Sequence, residues 1–185
     1  MNIGRTGGFA LGAAALGFLA GAIAISPARK LAMQGTEALI GGDWMDTLMA
    51  EHKVVEKLFD MLFQTDETET KKRQGLLTKI AYNLNKHAVQ EENVVYPALR
   101  KVDEAQARHL VSDHADVKST LAALQYDVAK DSPQWLTLAR QLWTSIQEHV
   151  REEENDIFPS MRERMSEEDN AALTRRLHWE GMKVA

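Results

Sequence analysis

Four stretches of the chain carry apolar residues at alternating intervals of three and four, the spacing that places side chains on one face of an α-helix. Asp43 is the predicted N-cap of the first helix, Asp103 that of the third, and Ser132-Pro133 begins the fourth. Pro97 and Pro159 are predicted to end or kink the second and fourth helices, because proline lacks a backbone donor. No strand pattern competes. The pattern predicts an all-α fold, an up-down-up-down four-helix bundle with short connections.

Two further segments flank this predicted bundle. Residues 6–28 contain no charged side chain, and as a helix they would span about 35 Å, enough to cross a bilayer. A short C-terminal helix is predicted from Ser166 to about Trp179. The resulting division is an apolar N-terminal segment at 1–30, a linker at 31–42, the bundle at 43–163 and a helical tail at 164–185.

The apolar N-terminal segment is interpreted as a retained membrane anchor. A cleaved secretory signal is the alternative, since Ala22-Ile-Ala24 has the small-x-small pattern of a cleavage site, and a soluble or interfacial helix is the third interpretation. Positive charges flank both sides, Arg5 on one and Arg29 with Lys30 on the other, so the orientation is nearly balanced. We expect the bundle on the cytoplasmic side, with export after cleavage as the alternative.

The composition excludes several classes of partner and of functional site. The net charge is −5 and no basic face emerges, so we expect no nucleic-acid partner. Cysteine is absent, which excludes disulfides, thiolate catalysis and cysteine-ligated zinc or iron–sulfur clusters. Any metal must therefore be bound through nitrogen and oxygen. The sequence leaves the oligomeric state open, a homo-oligomer included.

The chain contains an internal repeat that carries metal-type ligands. Two histidine–glutamate pairs with i, i+4 spacing lie 62 positions apart, and the same offset separates two further histidines. A spacing of four residues places the imidazole and the carboxylate on the same helix face. All of these residues fall on the apolar stripes of the four predicted helices. They are His52, His87, Glu91, His114, His149 and Glu153.

Burial of these six side chains needs compensation, because an unpaired buried carboxylate or imidazole costs several kcal/mol. A pair of divalent cations would supply it. If Glu91 and Glu153 each bridge two metals and each metal binds two histidines, every metal has four protein ligands and two open positions. This arrangement suits octahedral iron or manganese better than a closed tetrahedral zinc site. Open positions on a redox metal indicate chemistry with dioxygen, peroxide or nitric oxide.

The motif His52, His87-x-x-x-Glu91, His114, His149-x-x-x-Glu153 resembles the hemerythrin-like (HHE) cation-binding domain over about residues 43–163. The resemblance implies a bundle with a non-haem di-iron centre, with two bridging glutamates and four terminal histidines, and iron ahead of manganese or zinc. It also implies a protein that binds, senses or detoxifies a small oxidant, with an enzymatic redox activity left open. Iron storage or delivery and iron-centre repair are the alternative functions.

Two differences from known members of the family limit the functions that the resemblance implies. Oxygen-carrying hemerythrins resemble this protein but use a fifth histidine where this chain has Lys118, which disfavours an oxygen carrier. Repair proteins of similar type commonly carry a cysteine-containing N-terminal module, which this chain lacks.

Glu56, one turn after His52, is either an additional ligand, an acceptor for an imidazole N–H, or a charge at the edge of the stripe; the last interpretation is preferred.

Overall fold

The structure is a computed structural model that describes residues 42–184, and within this range it is helical with short turns. The predicted N-terminal anchor at 6–28 lies outside the described residues. None of the helices within 42–184 combines the length and the apolar character that crossing a bilayer requires. The elements in chain order are α1 (Trp44–Phe63), α2 (Thr70–Gln90), α3 (Tyr96–Leu99), α4 (Glu104–Ala122), α5 (Pro133–Glu152), α6 (Phe158–Arg164) and α7 (Glu167–Val184).

The predicted helix starts are confirmed by the capping contacts. The Asp43 carboxylate accepts hydrogen bonds from the backbone N–H groups of Met45 and Asp46, and the Asp46 carboxylate accepts one from the Asp43 N–H. Asp103 accepts from the Gln106 N–H at 2.9 Å at the start of α4. Ser132 accepts from the Trp135 N–H at the start of α5. These caps satisfy backbone donors that the first helical turn leaves unpaired.

Within residues 42–184, three π-helical turns interrupt the regular helices, and the apolar pattern does not predict them. They span Glu91–Val95, Ala123–Asp127 and Glu153–Ile157. The prediction that Pro97 and Pro159 end or kink the second and fourth helices needs correction, because the regular helix already ends at Gln90 and Glu152. Each proline then lies in the first turn of a short helix, α3 or α6, where its missing N–H breaks no helical hydrogen bond.

The third long helix ends in a π turn. Regular α4 ends at Ala122, and Val128 has an extended backbone after the π turn. The indole N–H of Trp135 donates to the Leu124 carbonyl at 2.9 Å. This bond satisfies a carbonyl where the helical ladder ends, at the buried residue Leu124.

Helices pack most extensively within each repeat, α1 with α2 and α4 with α5. The C-terminal helix α7 packs on α1, on α2 and on the π turn that follows α2. The apolar core forms two clusters, one containing Leu48, Phe158 and Leu177, the other containing Phe59, Leu77 and Trp135. On α1, Leu48 belongs to the first cluster and Val55 to the second. His52 lies between them, so the predicted ligands occupy the level that separates the two clusters.

Candidate metal centre

All six predicted ligands are buried, each with at most 8% of its surface exposed. The four histidines come from the four repeat helices α1, α2, α4 and α5, and each glutamate is the first residue of a π turn. The structure brings the six side chains into two overlapping groups, within each of which the ligand atoms lie within 4.8 Å of one another. The first group is His52, His87, Glu91 and Glu153, and the second is Glu91, His114 and His149.

The π turns place the two glutamates. Each turn closes with a backbone bond across five residues, from the Tyr96 N–H to the Glu91 carbonyl and from the Phe158 N–H to the Glu153 carbonyl. A π turn inserts one residue into the helical path, and such insertions are frequent at functional sites. Both insertions fall at equivalent positions of the repeat. The helix distortion is therefore a duplicated feature that accompanies the glutamates.

The histidines form two facing pairs. The Nε2 atoms of His52 and His87 are 3.0 Å apart, and those of His114 and His149 are 3.2 Å apart. When the Nδ1 atom of each ring carries the proton, both Nε2 atoms of a pair present lone pairs to each other. Positive charge between the rings relieves this contact. The geometry is that of two imidazoles directed at one cation.

A carboxylate holds the Nδ1 atom of every one of these histidines. Glu154 lies 2.8 Å from His52, and Glu92 lies 3.0 Å from His114. The other two contacts are Glu51 to His87 at 3.1 Å and Asp113 to His149 at 3.3 Å. A carboxylate at Nδ1 selects the tautomer that leaves Nε2 free as a ligand and increases its basicity.

Sequence reasoning missed these outer carboxylates. Glu92 and Glu154 follow the predicted ligands by one residue, a rotation of about 100° on a helix, so helix geometry alone does not place them at the centre. Each reaches a histidine of the neighbouring repeat, and Glu92 also accepts from Lys118 at 2.6 Å. The available signal was the 62-residue offset, which relates Glu51 to Asp113 and Glu92 to Glu154.

Each inner glutamate lies between the two histidine pairs. Glu91 Oε2 is 3.1 Å from His87 Nε2 and 3.3 Å from His114 Nε2. Glu153 Oε2 is 3.4 Å from His149 Nε2 and 3.6 Å from His52 Nε2. Every glutamate thus contacts one histidine of each pair. Each carboxylate is therefore within reach of a cation held by either pair.

The two buried glutamates can both ionise only if positive charge is added to the cluster. Burial, reinforced by the neighbouring Glu91, raises the pKa of Glu153 well above its usual value. Burial also opposes ionisation of Glu91, but His87 and His114 outweigh it and hold the Glu91 pKa well below the usual range. His87 in turn has a raised pKa, since Glu91 and Glu51 overcome the effect of burial. One carboxylate therefore ionises beside a protonated imidazole, and the second can ionise only with further positive charge.

Two buried carboxylate oxygens without hydrogen-bond partners among residues 42–184 indicate that a metal would fit between the histidines. Glu91 Oε1 and Glu153 Oε2 are buried and accept no hydrogen bond within the described part of the chain. A buried acceptor without a partner costs about 1–3 kcal/mol. Four imidazole Nε2 atoms and these oxygens form a nitrogen and oxygen donor set of the kind that iron and manganese bind. The residues fit a pair of divalent cations.

A tyrosine hydroxyl completes the inner cluster. Tyr96, which is 2% exposed, donates to Glu153 Oε1 at 2.7 Å and lies 3.2 Å from Glu91 Oε2. Burial and the two carboxylates raise the Tyr96 pKa well above its usual value, so the hydroxyl keeps its proton. Its counterpart in the second repeat is Phe158, which has no hydroxyl. The repeats are therefore equivalent in their ligands and different in this donor.

Glu56, considered as an additional ligand, lies outside the cluster. Its side chain is 44% exposed and accepts from Lys53 at 3.1 Å. His109 is also at the surface, 56% exposed, beside Asp113 and Glu152. The structure thus separates these two residues from the six that it brings together.

Residues 45–161 match the Hemerythrin HHE cation binding domain. The chain belongs to this hemerythrin family. The resemblance noted from the repeat is thereby confirmed. The matched range is a cation-binding domain, and it contains all six residues of the cluster. No solved structure matches the chain significantly.

Two curated relatives are similar to this hemerythrin-like chain. A DNA nickase of Nostoc sp. is 29% identical over 124 residues, which are 66% of this chain and 34% of the nickase. An uncharacterized hemerythrin-like protein of Schizosaccharomyces pombe is 25% identical over 129 residues, 68% of this chain and 62% of that protein. The chain therefore matches about a third of one relative and under two thirds of the other.

Proposed function

We propose that this protein is a non-haem di-iron protein that binds, senses or detoxifies a small oxidant such as dioxygen, nitric oxide or peroxide. The observation that carries the proposal is the pair of facing imidazoles in each repeat, joined by two glutamates that contact both pairs. His52 and His87 would bind one cation and His114 and His149 the other, with Glu91 and Glu153 between them. The four repeat helices would run up-down-up-down, as their short connections favour.

Each part of the cluster has a defined task in this proposal. When bound, a pair of iron ions supplies two electrons for the reduction of a small oxidant. Glu51, Glu92, Asp113 and Glu154 orient the imidazoles, and apolar clusters lie on both sides of the centre. Tyr96 supplies a hydroxyl that donates a hydrogen bond beside Glu153. These side chains bind and orient, and whether turnover follows is decided by experiment.

The alternatives of iron storage, iron delivery and iron-centre repair receive less support. All six ligand residues are at most 8% exposed, and the imidazoles are fixed by carboxylates. Such burial favours a retained metal over one that is handed to a partner. The relative named DNA nickase shares only part of its length with this chain, so our expectation of no nucleic-acid partner stays a prediction. A filter-binding assay with plasmid DNA tests it.

Elemental analysis of the purified protein tests the centre. We expect two irons per chain, whereas one zinc without iron would overturn the assignment. Glu91→Ala should lose most of the metal, because it removes the ligand shared by both groups, and His109→Ala should retain it. Equal retention in the two variants would refute the choice of residues.

Addition of peroxide to the metal-loaded protein distinguishes the possible roles. Sustained oxygen release indicates turnover, a single stoichiometric bleach of the optical spectrum indicates binding or sensing, and iron loss to a chelator within seconds indicates delivery.

We also propose that residues 6–28 attach the protein to a membrane with the bundle on the cytoplasmic side. The uncharged run of these residues supports this. Recovery in the membrane fraction after a high-salt wash is the expected result. The mass of the mature N-terminus distinguishes a retained anchor from export after signal cleavage.

A further inference from the structure

A cavity of about 250 Å³ adjoins the histidine pairs and lies between the two helical hairpins of the repeat. All four candidate histidines contribute to its wall. From the histidine level it extends along α4 to Leu121 and along α5 to Trp143, seven and six residues from His114 and His149. At ~1.5 Å per helical residue this is a length of roughly 10 Å.

The cavity is larger than a diatomic gas or hydrogen peroxide requires. One water molecule takes about 30 Å³ in the liquid, so 250 Å³ is equivalent to roughly eight waters. Dioxygen and nitric oxide have two heavy atoms each. Even with two cations at the histidine end, the part beside Leu121 and Trp143 has room for the body of an organic molecule.

Four large apolar side chains form much of the wall of the extended part. Leu84, Leu121, Trp143 and Ile146 come from three different helices and line it together. Leu121 and Ile146 are buried, and Trp143 stacks on Phe59 at 4.9 Å between ring centroids. Side chains of this kind favour contact with hydrocarbon over contact with water.

Three cations also line the cavity: Lys53, Lys118 and Arg151. Two of them are paired, Lys53 with Glu56 at 3.1 Å and Lys118 with Glu92 at 2.6 Å. The Arg151 guanidinium makes no ion pair within residues 42–184. Among the lining carboxylates, Glu154 is already engaged by His52. An anionic group entering the cavity would therefore meet an available guanidinium.

We propose that this cavity binds an amphipathic organic anion, a carboxylate with an unbranched aliphatic chain of about eight carbons. The chain lies against Leu84, Leu121 and Trp143, and the carboxylate lies at Arg151. The proposal rests on the function proposed above, because it names the class of molecule that reaches the same centre. It extends that function from small oxidants to an organic ligand held beside the centre.

Isothermal calorimetry with sodium octanoate on the full-length, metal-loaded protein tests the proposal. We expect saturable binding at one site per chain and at least about tenfold weaker binding of butanoate, which buries less hydrocarbon. Octylammonium should also bind at least about tenfold more weakly, because Arg151 would repel it. Equal binding of octanoate and octylammonium would overturn the assignment of the carboxylate to Arg151. An absence of saturable octanoate binding would overturn the proposal as a whole.

Two pairs of variants locate the site. Leu84→Trp fills the cavity and should weaken octanoate binding about tenfold, whereas Val111→Trp, on the exposed surface of α4, should leave it unchanged. Arg151→Glu should weaken binding to a similar extent, with Arg175→Glu on α7 as the charge-matched control. Arg151 is exposed, so this variant remains informative if Leu84→Trp fails to fold. Binding that is insensitive to Arg151→Glu, in a variant with normal helicity, would contradict the proposal.

Iron content is measured on the same samples. Protein without iron would contradict the di-iron centre. Protein with two irons that binds no octanoate would contradict only the ligand class. A shift of the optical spectrum when octanoate is added is the expected second readout, since the cavity adjoins all four histidines.

Discussion

The hydroxyl of Tyr96 offers the sharpest test of the electrostatic description of the centre. Tyr96→Phe removes one oxygen and leaves the ring, and the repeat already accommodates a phenylalanine at the equivalent position, Phe158, which is fully buried. The change deprives Glu153 Oε1 of its donor at 2.7 Å. Because Glu153 is fully buried, water cannot replace the lost bond, and the orphaned oxygen should cost about 1–3 kcal/mol.

The assay is thermal unfolding of protein from which a chelator has removed metal, so that ligand binding does not mask the change. A loss of about 1–3 kcal/mol corresponds to a fall in Tm of roughly 2–12 °C for a chain of this size. The matched control is Tyr82→Phe. The Tyr82 hydroxyl is buried and has no hydrogen-bond partner within the described residues, so its removal should be neutral or stabilising. Equal destabilisation by the two variants would refute the reasoning.

Three other measurements follow from the geometry. Glu92→Gln should weaken metal affinity about 10–100-fold, because a neutral amide supports the His114 ring less well, while Glu56→Gln should not; competition with a chelator measures both. Arg73→Leu should lower the free energy of unfolding by more than about 2 kcal/mol, since this buried guanidinium donates to two backbone carbonyls and stacks on Trp135, and urea unfolding would show it. Lowering the pH should release the metal as the imidazoles take up protons, so the iron that a desalting column recovers with the protein should fall below about pH 5; full retention at pH 4 would contradict imidazole ligation.

Helix starts and ligand positions could be read from the sequence because they depend on local rules. Asp43 and Ser132 cap the helices where the pattern predicted, and the apolar stripe of α1 is buried with His52 in its middle. The six candidate ligands come together because their i, i+4 spacing and the repeat offset both encode a common helix face. Their role as ligands remains the prediction that elemental analysis tests.

Contacts between neighbouring helices could not be predicted from the sequence, because local rules do not specify how helices pack. Helical rotation alone directs Glu92 away from Glu91, but it does not show that His114 of the next hairpin lies in that direction. The π turn at Glu91 also breaks the regular helical spacing that the apolar pattern assumes. The sequence also gave no indication that the C-terminal helix packs into the core through Leu173 and Leu177, which are almost fully buried.

The position of α7 gives the duplicated halves unequal mutational tolerance. Thr47 and Gln90, on the half that α7 covers, are at most 1% exposed. Their counterparts His109 and Glu152 have side chains 56% and 35% exposed. Random substitution at the covered pair should abolish folding in many variants, whereas the open pair should accept most residues. A saturation library would therefore show one half of the repeat constrained by α7 and the other half tolerant of substitution.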